Sequence, residues 1–136
     1  MTRRIIHTPD VPSPAAIAVD GVPRAPYSQA VAAGGLVFVS GTFPVDPAAG
    51  RIEAESIQGQ TAQCLRNISA ILAAAGTSLA NAVSATVILA NEEDFAGMNE
   101  EWVKWFPAEP PARQGAKLPV RVPGMRISIA MIAAAS

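Results

Sequence analysis

The chain is short of charge, of aromatic rings, of cysteine and of histidine. Charged residues make up 15% of its 136 positions, against about 25% in an ordinary soluble domain. Ten basic and eleven acidic side chains leave a net charge of -1. Nucleic-acid binders show a high pI and a basic stripe. Here the pI is near 5.7 and aromatics are 5%, so no nucleic-acid partner is expected. Cys64 is the one cysteine, which excludes an internal disulfide and a cysteine-cluster zinc site. His7 is the one histidine, which excludes an HExxH metal site and argues against a Ser-His-Asp arrangement. Apolar runs such as 30–39 and 127–135 stop at about ten residues, half of the roughly twenty that span a membrane. No membrane partner is expected. Arg3-Arg4 followed by Ile5-Ile6-His7-Thr8-Pro9-Asp10 is no signal-peptide core, and the expected location is the cytoplasm.

What is present is apolar substance. Hydrophobic residues are 50% of the chain and the mean hydropathy is +0.28. This length suits one domain that buries roughly two-thirds of its unfolded surface. An apolar surplus with so little charge points to a subunit interface, because obligate contacts resemble a core cut in half.

Residues 1–26 hold five of the twelve prolines (Pro9, Pro12, Pro14, Pro23 and Pro26). Each fixes φ and removes a donor. Residues 1–24 are therefore expected as an irregular Pro-rich arm ahead of a single domain over residues 25–136. Apolar stretches 29–32 and 36–40 flank Gly34-Gly35, a two-residue hairpin signal. Residues 42–50 read as a loop. Residues 57–75 repeat apolar side chains at helical spacing, with Ser56 as cap and Gly76 as the left-handed stop. Gln58, Gln63, Arg66 and Asn67 are assigned to the other faces of that helix. Residues 83–90 predict a strand buried on both faces. Asn91 is expected to cap a second helix with the stripe Phe95, Met98, Trp102 and Trp105/Phe106, stopped by Pro107, Pro110 and Pro111. Two last strands, 112–118 and 125–134, are separated by Pro119, Pro123 and Gly124. The order β-β-α-β-α-β-β gives an α+β sandwich, one mixed sheet packed against two helices.

Arg113 follows Pro110-Pro111-Ala112 and opens a strand among small and apolar neighbours. Its planar fork suits a carboxylate; an internal salt bridge or a solvated strand end is the plainer reading. Residues 111–136 carry Arg113, Lys117, Arg121 and Arg126 and no acid, whereas 92–109 carry six acids and one lysine. Internal pairing between the two stretches is the favoured reading, with an anion-attracting patch as the alternative. Tyr27 offers a hydroxyl at a strand entry or a wet-tipped core ring. Asn99 lies mid-helix, where asparagine is a poor helix former. Gly41 after Ser40 lets a backbone N–H approach a ligand. Cys64 reads as a small buried hydrophobe. Neither Gly34-Gly35 nor Gly41 fits a phosphate-binding glycine loop, and no metal site is expected.

Ala25-Pro26-Tyr27-Ser28-Gln29-Ala30-Val31 and the run from Val37 through Ser40-Gly41-Thr42-Phe43-Pro44-Val45-Asp46-Pro47 resemble the opening of the Rid family, also called YjgF/YER057c/UK114. The likeness continues through Gln60-Thr61, Ile68, Ala74-Ala75-Gly76, Phe95-Ala96-Gly97-Met98-Asn99 and Pro111-Ala112-Arg113. It implies a chorismate-mutase-like fold assembled as a barrel-like homotrimer with clefts between subunits. It also implies hydrolysis of small 2-imino or enamine acids to 2-oxo acids and ammonia, with no metal or organic cofactor. Arg113 matches the carboxylate-binding arginine; Tyr27, Ser40, Gly41 and Asn99 match cleft-lining positions. Two departures stand out. Gly115 replaces a cysteine two places after the arginine, leaving only its backbone for a ligand. Ser128 stands where the family usually has a water-activating glutamate, and a serine hydroxyl orients water but is no base near neutral pH. The alternatives are a non-catalytic binder of small carboxylates and divergent chemistry that uses Trp102 or Gln114.

Overall fold

A computed structural model of the chain describes residues 2–117 and 122–136. The expected strand end at Leu118, the breaker Pro119 and the base Arg121 lie outside the described residues.

The first surprise is the Pro-rich segment, which is not irregular throughout. Strand β1 (Arg4–Ile6) pairs antiparallel with β4 (Ala30–Ala33), Ile6 opposite Ala30, and Ile6 is buried. Strands β2 (Ile17–Val19) and β3 (Val22–Arg24) form a separate hairpin. Its Asp20-Gly21 turn has both φ values positive, 52° and 75°, as a two-residue hairpin requires. Pro9, Pro12 and Pro14 fall between the strands. Pro23 is tolerated because each strand of a two-stranded ribbon leaves one edge unpaired.

From Ala30 onward the order matches the sequence reading. The hairpin of β4 and β5 (Leu36–Thr42) turns at Gly34 and Gly35, with φ of 60° and 78°. Helix α1 (Ile57–Ala74) starts where Ser56 Oγ accepts from the Gly59 N–H at 3.0 Å and is followed by Gly76 at φ 81°. Then come β6 (Ala82–Leu89), α2 (Phe95–Trp105), β7 (Ala112–Lys117) and β8 (Ile127–Ala134). The six-stranded sheet runs β1-β4-β5-β8-β6-β7. Only β6 and β7 pair in parallel, so α2 supplies the crossover that such a pair needs.

Both helices lie on one face of the sheet. Val37, Val39, Ala85, Val87, Ile127, Ile129 and Met131 turn inward against Cys64, Leu65, Ile68 and Leu72 of α1 and Met98 and Trp102 of α2. Among the described residues no helix packs on the other face, which is partly exposed. In β6 only alternate residues are buried, and Phe38 on β5 is 42% exposed. The expectation that β6 is buried on both faces is corrected for a single chain: strand alternation puts Thr86 and Ile88 on the side that carries no helix. Two smaller corrections concern the helices. Gln63 and Asn67 are buried, not on solvent faces. The Asn91 side chain makes no capping bond; a 3₁₀ turn at Glu92–Asp94 precedes α2, and Phe95 is half exposed. Among the described residues no helix is long and apolar enough to cross a membrane.

Candidate active site

Parallel pairing sets Arg113 beside Ala85. Ala85 faces the helices, so the arginine side chain rises on that face, at the β7 edge of the sheet. Its guanidinium carbon lies 5.2 Å from the Trp102 ring centre and 5.7 Å from that of Phe95. Nη1 donates to Met98 Sδ at 3.5 Å. A thioether is a weak acceptor, and aromatic faces hold a guanidinium without using its fork. Among the described residues Arg113 has no ion pair. It opens into a cavity of about 420 Å³ whose wall includes Leu89, Glu92, Phe95, Gly115 and Lys117.

Asp94 is buried and its Oδ1 accepts from Arg126 Nη1 at 3.1 Å. This joins the acidic stretch to the acid-free one, as the favoured charge reading expected. Gly115 is exposed, and a Cβ there would meet the Val87 carbonyl at an ordinary 3.5 Å. Gln114 Nε2 donates to Thr86 Oγ1 at 3.2 Å, on the face without helices.

A second cavity, of about 250 Å³, lies between residues 11–15 and the end of β5. Tyr27, Ser40 and Gly41 all line it. The β5–β8 register slips between Val39 and Thr42, a bulge that re-aims Ser40 and Gly41. Ser40 Oγ donates to the Ser28 carbonyl at 2.6 Å. Gly41 is exposed, with open space where a Cβ would stand. Tyr27 is 45% exposed.

Two anchors of this cavity escaped sequence reasoning. Gln29 is buried and binds back to Thr8, Val11 and Pro12. Asn67 Nδ2 donates to the Phe43 and Val45 carbonyls at 3.2 and 2.9 Å. The available signal was an amide side chain inside an apolar pattern, since such a group must find partners when buried.

Asn99 is half-buried on α2 and lines neither cavity. Ser128 is 7% exposed, lies opposite Ile88 and faces away from the helices; it too lines neither. One chain therefore gathers Arg113 with Gly115, and Tyr27 with Ser40 and Gly41, but not the two groups with each other. Strands β8 and β6 stand between β5 and β7, a gap of about 14 Å at the usual strand spacing. Cys64 is fully buried and its Sγ donates to the Thr42 carbonyl at 3.3 Å. Burial pushes its thiol well above the ordinary range, which makes it inert as a nucleophile. Among the described residues no cluster of three metal-ligating side chains occurs.

The family model described as Endoribonuclease L-PSP matches residues 16–135. A RutC family protein of Pyrococcus horikoshii is 47% identical over 91 residues, 67% of this chain and 72% of that one. The goat (Capra hircus) protein named 2-iminobutanoate/2-iminopropanoate deaminase is 37% identical over 133 residues, 98% of this chain and 90% of that one. The crystal structure of E. coli TdcF with bound serine superposes with a TM-score of 0.81 at 34% identity, covering 98% of this chain and 99% of that one.

Proposed function

The chain belongs to the Rid family (YjgF/YER057c/UK114), matched through its Endoribonuclease L-PSP model, and from that premise we propose that it hydrolyses small 2-imino and enamine acids to 2-oxo acids and ammonia. The observation that carries the reading is the guanidinium of Arg113: among the described residues no acid pairs with it, two rings support it, and a cavity opens before it. The substrate carboxylate takes the bidentate fork. An enamine first tautomerises to the imine. Water then adds to C2, a proton moves to nitrogen, and the C–N bond breaks to release ammonia and leave the 2-oxo acid. Uncatalysed hydrolysis of this kind already proceeds in water, so positioning alone gives an acceleration.

The reading needs a second copy. In a homotrimer the β7 edge of one subunit brings Arg113 to the cavity behind Tyr27, Ser40 and Gly41 of the next. Separation of the two groups within one chain supports this, as does the exposed β7, where only Arg113 is even half-buried. The helix-free face with its exposed Phe38 supports it as well. Asn99 shapes the cleft and the backbone of Gly115 meets the ligand. Ser128 holds the attacking water without deprotonating it. The absence of a carboxylate base costs about 100- to 10,000-fold in rate. No cofactor or metal takes part.

The test is a steady-state assay on 2-aminoacrylate or 2-iminobutanoate formed in situ by a dehydratase. Acceleration that disappears in Arg113→Ala supports the proposal. No acceleration over buffer, at protein concentrations approaching substrate, overturns it. The serine at position 128 favours a second reading, a carboxylate-binding module without turnover. Calorimetry with 2-oxobutanoate selects that reading if binding depends on Arg113 while turnover is absent.

A further inference from the structure

The cavity in front of Arg113 carries charge of both signs. Glu92 lines it from the 3₁₀ turn between β6 and α2, three residues before Phe95, whose ring lies under the guanidinium. Lys117, exposed at the last residue of β7, adds a second positive charge to the wall. Arg113, Lys117 and Glu92 belong to none of the ion pairs among the described residues. The same turn holds an acid that is paired: Asp94 is buried against Arg126. Glu93 is exposed and lines neither cavity. Of the three acids in the turn, Glu92 is the one that meets the Arg113 cavity.

Opposite charges on the walls of one cavity, without direct contact, fit a ligand that is itself charge-separated. At about 420 Å³ the space exceeds the roughly 150 Å³ that takes a benzene ring, so a three- or four-carbon acid is accommodated. A 2-imino acid with its nitrogen protonated bears carboxylate and iminium on adjacent carbons. The 2-oxo acid product keeps the carboxylate but has a carbonyl oxygen, with no hydrogen to donate, where the iminium stood.

We propose that Glu92 is the nitrogen-recognising residue of this site, accepting a hydrogen bond from the iminium while Arg113 holds the carboxylate, so that the cavity selects the charge-separated substrate over its 2-oxo acid product. The inference rests on the deaminase reading. A carboxylate close to the nitrogen favours the protonated imine, the form more electrophilic at C2. Water adds there, and iminium and water become 2-oxo acid and ammonium. Glu92 then faces an acceptor oxygen, which favours release of the product.

The experiment titrates the full chain with L-2-aminobutanoate and with 2-oxobutanoate by calorimetry, two acids that differ only in the group on C2. Glu92→Gln keeps the shape of an exposed side chain and removes its charge. It is expected to weaken the amino acid by about 10-fold, to leave 2-oxobutanoate unchanged or tighter, and to raise KM for 2-iminobutanoate formed in situ. Glu93→Gln removes the same charge one residue away and is expected to shift neither affinity by more than about twofold. The proposal is overturned if wild type does not bind the amino acid, if Glu92→Gln changes the ratio of the two affinities by less than about threefold, or if Glu93→Gln changes it as far. In each of those cases, turnover of 2-iminobutanoate that disappears in Arg113→Ala leaves the deaminase reading standing. Absence of that turnover overturns the deaminase reading, and the calorimetric ratio still decides whether Glu92 holds the nitrogen.

Discussion

At one edge of the sheet Arg113 leans over Trp102 and Phe95, and among the described residues a thioether is its only hydrogen-bond partner. Towards the other edge, the serine, threonine and amide side chains around the Tyr27 cavity are bound to the protein itself. A polar group that the fold has satisfied is architecture; one that the fold leaves open is available to a ligand. Arg126 supplies the internal control, because it sits one residue before β8 with its fork on Asp94. The two arginines are alike in chemistry and opposite in use. The difference is that Asp94 pairs with Arg126, whereas among the described residues no acid pairs with Arg113.

The sharpest way to break this contrast is to remove the Arg113 guanidinium. Arg113→Ala is expected to lower kcat/KM by about 1000-fold, because a charged bidentate contact is lost together with orientation at C2. Its denaturation midpoint in urea stays close to wild type, since among the described residues no acid pairs with it. A large loss of stability with activity retained would reverse the assignment and make Arg113 architectural. Ser128→Glu sharpens the comparison from the other side. If the hydroxyl holds the water at the subunit cleft, a carboxylate there raises kcat about 100-fold. An unchanged kcat in a variant that still folds would remove Ser128 from the site.

How far the sequence foretold this differs between the elements. Gly34-Gly35, Ser56 and Gly76 were legible because turn and cap chemistry are local, set by one or two residues. Arg113 stands out in the sequence from its place after Pro110-Pro111 and from the family pattern around it, and the structure sets it at a cavity wall. The pairing of β1 with β4 was not, because its partner lies 26 residues away in the Ile5–Val31 pair and the intervening prolines mask the strand signal. Gln29 and Asn67 were hidden for the same reason. Their partners are backbone carbonyls of distant loops, and an amide in a sequence does not declare which loop it will hold. The helix-free face of β6 was misread because a run of apolar and β-branched residues looks the same whether or not its second face meets a helix.

A smaller effect is expected from Asp94→Asn. It weakens the pair with Arg126, whose side chain is 43% exposed and so regains water. The expected cost is about 1 kcal/mol, read as a lower urea midpoint, while kcat/KM stays within about twofold. If activity falls as far as in Arg113→Ala, the two arginines share one function and the contrast fails.

The smallest effect belongs to Cys64, which lies in the core between the two edges. Burial raises its thiol above the ordinary value of 9.0, so the folded state keeps the proton after the unfolded chain has released it. Stability rises with pH only where the unfolded state binds more protons; here it binds fewer once pH passes about 9. The contribution of Cys64 is therefore complete below that pH and declines above it, by at most about 1.4 kcal/mol per pH unit. Urea denaturation at pH 8, 9 and 10 should show this decline in the wild type and a flatter profile in Cys64→Ala. Iodoacetamide at pH 8 should leave the folded protein unlabelled and its deaminase activity unchanged. Rapid labelling of folded protein would mean that the thiol reaches solvent, and that the core between the two edges is open where the packing of Cys64 against Thr42 closes it.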